Sequence, residues 1–206
     1  MKCKSIILLS GGLDSTVSAA LANRRTKPLF ALTFDYRQRA AKREIEAAKK
    51  ICRVLRVKHK IVQLPFFREY KKLRMLGRDG KASLKRFNKM EDVWVPNRNG
   101  LFVNVAACYA EYYGAKMIIT GFNREEAQEF PDNSARFVQA INRSLSYSTL
   151  GKIKVKSYVA NLSKREIYRL GLKYKAPLGH VYSCYLGGAQ MCGKCASCRR
   201  FIEASK

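Results

Sequence analysis

Acidic residues are scarce in this chain: 206 residues hold 15 Asp and Glu against 41 Lys and Arg, a formal charge of +26. Long apolar runs are missing too. The longest early one, Ile6 to Leu9, is strand-sized, far short of the ~18 residues of a membrane span. The start of the chain lacks the hydrophobic stretch and small-residue site of a secretion signal. Internal repeats and low-complexity tracts are absent. A soluble, cytoplasmic protein is the expectation. What is present suits a packed core: 47% hydrophobic and 27% charged residues in a length fitting one substantial domain with, at most, a small appendage.

The positive excess has two readings. Lys and Arg neutralise phosphates and release counterions, so a nucleic-acid partner is one. A solvated charged surface, typical of a basic proteome, is the other. Basic residues spread over the whole chain, with local densities at Arg68 to Lys89 and Lys152 to Lys175.

Apolar patterning gives the order of elements. Ser5 to Leu9 is a strand running into Ser-Gly-Gly. Helical spacing follows over Asp14 to Asn23. Pro28 to Phe34 is a second strand, Ala40 to Leu55 a helix with Ile45, Ala48, Ile51, Cys52 and Leu55 on one face, and Lys58 to Leu64 a third strand. Phe66 to Asp92 breaks the pattern and reads as a basic insertion or loop, ordered in part only with ligand. Leu101 to Tyr113 is a helix with Gly114 as C-cap. Met117 to Gly121 is a strand, Asn133 to Leu145 a helix and Ile153 to Tyr158 a fifth strand. Ser163-Lys164-Arg165-Glu166 is a capping box opening a helix to about Leu172. Alternating strands and helices predict a parallel sheet with covering helices.

The turn after the first strand is Ser10-Gly11-Gly12-Leu13-Asp14-Ser15. Two glycines let backbone N–H groups approach an anion, and the helix behind them adds partial positive charge. Ser10, Ser15 and Thr16 supply hydroxyls, and Asp14 is placed to hold a magnesium ion against phosphates. No Lys follows the second glycine, so this is not the kinase-type P-loop, nor is it the dinucleotide G-x-G-x-x-G fingerprint. The Ser-Gly-Gly-Leu-Asp-Ser string resembles the signature of the ATP pyrophosphatase, or PP-loop, superfamily. That resemblance implies binding of ATP and transfer of AMP to a substrate oxygen.

Of seven cysteines, four crowd together: Cys184, Cys192, Cys195 and Cys198. Without a secretion signal such a cluster reads as a metal site. Four thiolates with two C-x-x-C steps suit a closed, structural zinc site, with Lys194, Arg199 and Arg200 to offset its charge. A redox pair and an iron–sulfur cluster are the alternatives. His180 is nearby, but reads as a packed or hydrogen-bonded residue, since four cysteines suffice.

Together, these features resemble the QueC family of 7-cyano-7-deazaguanine synthases over nearly the whole chain. The resemblance is carried by Leu9 to Thr16, by Phe34-Asp35-Tyr36 with Gln38-Arg39, by Val95-Pro96 with Arg98-Asn99, and by Ser183-Cys184-Tyr185 through Cys198-Arg199. Gly121-Phe122-Asn123, Phe130-Pro131-Asp132 and Leu162 to Leu172 also fit. It implies an α/β, Rossmann-like fold of the adenine nucleotide alpha hydrolase-like kind: a parallel five-stranded sheet with helices on both faces. Residues 1–180 would form the ATP-binding synthase unit, with a basic insertion at about 66–92, and residues 181–206 a small zinc-binding segment.

The implied activity is a carbon–nitrogen ligase of queuosine and archaeosine biosynthesis, converting 7-carboxy-7-deazaguanine and ammonia to the nitrile preQ0 with ATP. A homodimer is implied; nucleic acid is not required, and no membrane is involved. The implied ATP contacts are Leu8, Leu9, Ser10, Gly11, Gly12, Leu13, Asp14, Ser15, Thr16, Val17 and Ser18. Ser10, Asp14, Ser15 and Arg98 would be catalytic. Tyr36, Gln38, Arg98, Asn99, Asn123 and Asp132 would meet the substrate, with Asp132 or Glu125 accepting the two N–H bonds of its guanine-like edge. From the residues alone, Asp132 reads equally as a residue ahead of the helix at Asn133, Arg98 and Asn99 as a loop and helix cap, Gln38 and Arg39 as an exposed face, and Tyr185 as packing beside the zinc site. Three departures from the family pattern stand out. Arg37 replaces a glycine, Ala40 a histidine, and Asn133-Ser134 a Cys-Arg pair. The competing functions are a PP-loop tRNA-modifying enzyme, a thiolase or lysidine-type ligase, and a zinc-stabilised nucleic-acid-binding module.

Overall fold

The computed structural model describes residues 2–76, 87 and 90–206. Five strands, β1 (Lys4–Leu8), β2 (Lys27–Asp35), β3 (His59–Gln63), β4 (Met117–Thr120) and β5 (Lys154–Ser157), form one sheet in the order β3-β2-β1-β4-β5. Every neighbouring pair is parallel. Parallel strands need crossovers, and these are helical. The helices are α1 (Leu13–Arg25), α2 (Ala41–Leu55), α3 (Met90–Val93), α4 (Arg98–Tyr112), α5 (Arg124–Glu129), α6 (Ala135–Ser148), α7 (Lys164–Lys173) and α8 (Ala196–Ala204).

Strand alternation sends neighbouring residues to opposite faces. Ile7, Leu9, Ala31 and Ile119 pack with Ala19 and Ala22 of α1 and with Ala48, Ile51 and Cys52 of α2. Ile6, Phe30, Leu32, Ile118 and Val155 pack on the other face with Val103, Ala106 and Ala110 of α4 and with Ile141 and Leu145 of α6. The far side of α1 is covered in turn. Its Leu13, Val17 and Leu21 meet Ile167 of α7 and Ala204 of α8. The expected doubly wound sheet is therefore present, and each strand and crossover helix lies where its apolar period put it, within a few residues. No helix among the described residues is long and apolar enough to cross a membrane.

Three helices were not anticipated: the single turn α3, α5, six residues without a buried side chain, and α8, hidden among the cysteines. The capping box of α7 is present, with Ser163 and Glu166 bonded reciprocally. In the basic insertion, residues 77–86 and 88–89 lie outside the described residues. Its described part is anchored: Phe67, Met75, Leu76 and Phe87 are buried in the main core, and Leu76 bridges to Gln38. Cys184, Cys195 and Cys198 are buried in that same core, and α8 lies against α7.

Candidate active site

The strand order reverses direction between β1 and β4, and in such sheets the crevice beyond the strand ends is where ligands bind. The turn leaving β1 opens there. It carries no side-chain cap on α1, so the first N–H groups of that helix are left to whatever enters. The hydroxyls of Ser10 and Ser15 meet at 3.0 Å, and Ser10 Oγ accepts from Gly12 N at 3.3 Å. Gly11 sits at φ +85, where a Cβ would fall 2.8 Å from Glu44 O. On the other side the turn presses on the chain after β4: a Cβ on Gly121 would lie 2.6 Å from Ser15 N and 2.9 Å from Ser15 Cα.

A cavity of about 240 Å³ lies over this turn. Leu8, Leu9, Ser10, Gly12, Leu13, Asp14 and Ser15 line it, as do Tyr36, Arg98 and Asn99. Gly11 is not among the lining residues, and the side chains of the other three expected ATP contacts turn away. Thr16 Oγ1 donates to Gly12 O at 2.7 Å and Ser18 Oγ to Thr120 O at 2.6 Å, while Val17 is fully buried under α7. They support the loop from behind.

At the cavity wall Lys164 bridges two carboxylates, Asp14 Oδ2 and, at 2.6 Å, Glu126 Oε1. Asp14 Oδ1 is buried with no partner. Burial pushes the Asp14 carboxyl up to about 6 against the pull of Lys164, with Glu126 adding to the rise. Burial also opposes the Lys164 charge, but the two carboxylates outweigh it and hold its pKa above the ordinary value. Neither Lys164 nor Glu126 is visible as a site residue in the sequence. Lys164 reads there as the second position of a capping box, and the contact that gives it a role spans 150 residues.

Arg98 opens α4 and donates to Tyr36 Oη at 3.3 Å. Burial works against its charge, and Tyr36, Asp132 and Tyr185 sustain it. Gln38 is not an exposed face. It is buried, accepts from Tyr36 N at 3.0 Å, and donates to Phe34 O at 3.0 Å and to Glu44 Oε2 at 2.8 Å. It stands behind the cavity wall and fixes Glu44, which lines the cavity. Asn123 is likewise buried, with Oδ1 capping α5 by accepting from Glu126 N at 3.0 Å. Its Nδ2 has no partner. Glu125 Oε1 accepts from Lys164 N at 2.8 Å, at the start of α7. Asp132 Oδ1 accepts from Asn133 Nδ2 at 3.0 Å, and Asn133 faces the cavity. The cap of α6 is Ser134, not Asp132.

The departures also find their places. Arg37 adopts φ 68, the left-handed region natural to glycine, and its N–H donates to Asp35 Oδ1 at 3.0 Å. Ala40 is fully buried, and a Cβ on Gly187 would fall 2.3 Å from Arg39 O. The segment bearing the cysteines thus lies directly on this loop.

The Sγ atoms of Cys184, Cys192, Cys195 and Cys198 lie within 4.8 Å of one another, and those of Cys192 and Cys198 are 3.8 Å apart. Four sulfurs at about 2.3 Å from a tetrahedral zinc would be about 3.8 Å apart, so the cluster fits a metal ion with no ligand missing. His180 is exposed, neither packed nor part of the cluster. Arg200 pairs with Glu129 and lines the cavity. Tyr182 N donates to Gly11 O at 2.9 Å, and Tyr182, Ser183, Cys184 and Tyr185 form the wall facing the glycine turn.

Residues 4–205 match the family model of queuosine biosynthesis protein QueC. The chain belongs to the QueC family. Among its relatives, the 7-cyano-7-deazaguanine synthase of Carboxydothermus hydrogenoformans is 49% identical over 98% of this chain and 97% of its own length. The protein of the same name from Methanocaldococcus jannaschii is 41% identical over 96% and 92%. Solved structures share the QueC architecture at low identity. NMN synthetase from Francisella tularensis has a TM-score of 0.54 at 20% identity, covering 93% of this chain and 71% of that one. NH3-dependent NAD synthetase from Campylobacter jejuni has a TM-score of 0.53 at 20% identity, covering 87% and 67%. These two likenesses bear on the fold.

Proposed function

We propose that this QueC-family chain is a carbon–nitrogen ligase that makes 7-cyano-7-deazaguanine from 7-carboxy-7-deazaguanine, ammonia and ATP, in queuosine or archaeosine biosynthesis. One observation carries the reading: an uncapped glycine turn at the sheet's switch point faces, across one cavity, a wall built from a four-cysteine segment. The family match favours this small-molecule reading over modification of a tRNA base. Residues 1–180 act as the ATP-binding unit and 181–206 as the metal-binding segment.

A carboxylate oxygen is a poor leaving group, so it must be activated. The substrate carboxylate attacks the α-phosphorus of ATP; the bond to the β-phosphate oxygen breaks and pyrophosphate leaves. Ammonia adds to the acyl adenylate and AMP departs, leaving the amide. The amide oxygen then attacks the α-phosphorus of a second ATP, pyrophosphate leaves again, and loss of AMP and of both N–H protons from the nitrogen gives the nitrile. Free N–H groups at the start of α1, with the hydroxyls of Ser10 and Ser15, would hold the pyrophosphate as charge builds on it. Arg98 and Lys164 are the cations at hand for the substrate carboxylate and the α-phosphate. Tyr36 and Asn99 line the substrate side, with Gln38, Asn123 and Asp132 positioning residues behind it.

Asp14 Oδ1, buried and unpartnered, suits one carboxylate contact to a magnesium ion otherwise held by phosphates. That ion would supply charge neutralisation on the nucleotide. The four cysteines would hold a structural zinc. A cytoplasmic homodimer completes the proposal.

The test is to incubate zinc-replete protein with ATP, Mg²⁺, ammonium and 7-carboxy-7-deazaguanine and follow products by mass. Amide, then nitrile, with two AMP released per nitrile, is the expected result. Neither product from active-loop protein that still binds ATP would refute the reading.

A further inference from the structure

The excess charge is not evenly placed. In a parallel sheet all strands begin at one end, and here that end is opposite the glycine turn. A lysine stands at or just before the start of every strand: Lys4, Lys27, Lys58, Lys116 and Lys154, all exposed. Lys4 pairs with Lys27 across β1 and β2. Lys116 N bonds to Lys4 O, and Lys154 N to Lys116 O. At about 4.8 Å between strands, the five span roughly 19 Å.

The neighbouring loops continue the pattern. Segments 2–4, 23–27, 53–60, 113–118 and 150–156 together carry 13 Lys and Arg and no Asp or Glu. That is half of the whole formal excess of +26. Among the described residues, none of these thirteen pairs with a carboxylate. The ion pairs instead gather on Asp14, Glu46, Asp92, Glu126, Glu129 and Glu166. Several of the cations rest on aromatic rings: Arg25 and Lys156 on Tyr158, Arg24 on Tyr174, and Lys60 on Phe30 and Tyr113. A ring face orders a cation while leaving its charge uncancelled. Like charges crowded this way repel one another and gain from a polyanion that displaces their counterions.

We propose that the amino-terminal end of the sheet is a docking surface for the phosphate backbone of a nucleic acid, bound without base specificity and apart from the active site. A nucleic-acid backbone carries one negative charge per nucleotide in an unbroken row with condensed counterions, so an unpaired row of cations gains by displacing them.

The test is fluorescence anisotropy with a labelled 20-base-pair RNA duplex, titrated over a range of salt. One variant carries Lys4→Glu, Lys27→Glu, Lys58→Glu and Lys154→Glu, none of which makes a side-chain contact recorded above. A control carries as many reversals at the opposite end: Lys42→Glu, Lys71→Glu, Arg136→Glu and Arg165→Glu. Melting temperature and ATP binding confirm that both fold. The first variant should bind at least about tenfold more weakly at moderate salt, with a log–log salt slope shallower by about 3.6, since each of the four lost phosphate contacts removes about 0.9. The control should retain a wild-type slope to within about 1. Equal losses in both variants would overturn the proposal, as would wild-type protein that shows no salt-dependent binding. So would polyglutamate competing as well as RNA, which would point to an acidic protein partner.

Discussion

Substituting alanine for Gly121 tests the site without touching the glycine turn itself. The new Cβ would meet Ser15 N at 2.6 Å, Ser15 Cα at 2.9 Å and Asp14 C at 3.0 Å. All three are backbone atoms at the start of α1, so no side chain can swing aside. Restoring ordinary contact requires the first turn of α1 to retreat by roughly 1 Å, and a shift of that size in a positioning group costs about 100-fold in rate. The overpacking itself should cost about 1–3 kcal/mol, or a fall in melting temperature of about 2–4 °C per kcal/mol for a chain of this size. The assay is nitrile formation at saturating ATP beside a thermal melt. A fall in kcat/KM of about two orders of magnitude, with the cooperative melt retained, is expected. Activity within threefold of wild type in a folded variant would show that the turn's position is not what the cavity depends on.

Three further outcomes follow from the same geometry. Asp14 is raised to about 6, chiefly by burial. If its carboxylate must be ionised to hold a cation, kcat/KM stays level above that pH and declines about tenfold per unit below it; a profile flat down to pH 5 would contradict the role. By linkage, a raised carboxyl favours the folded state only at low pH, and that contribution is lost as pH rises through about 6. Replacing Cys195 with Ser, or removing metal with a chelator, should lower the melting temperature and weaken ATP binding together, because Tyr182 N is bonded to Gly11 O; calorimetric ATP binding unchanged in metal-free protein would separate the two sites. Arg37→Gly should leave stability unchanged or raise it by up to about 1 kcal/mol, since φ 68 strains any side chain. A clear loss in denaturant melts would mean that the Arg37 side chain holds the loop.

Sheet, crossover helices and glycine turn were legible because each is written in local period or a short string. The cysteines were legible because ligand spacing is itself local. The residues that complete the cavity were not. Lys164 and Glu126 acquire their meaning from a salt bridge to Asp14 across the fold. Gln38 looks like part of a polar loop, but three hydrogen bonds turn it inward. α5 has no apolar stripe, because none of its residues is buried, so no period announces it. α8 was obscured by cysteines whose spacing speaks of a metal more loudly than of a helix.

The bond from Tyr182 N to Gly11 O has a consequence for synthesis. The glycine turn leaves the ribosome before its partner, which follows only after about 170 further residues. At ordinary elongation speeds that is on the order of ten to thirty seconds. During that interval the turn can rest on α2 and on the chain after β4, but its Gly11 carbonyl waits for the Tyr182 N–H. The nucleotide seat therefore gains its last backbone hydrogen bond only when the cysteine segment has been made and has folded back onto the turn.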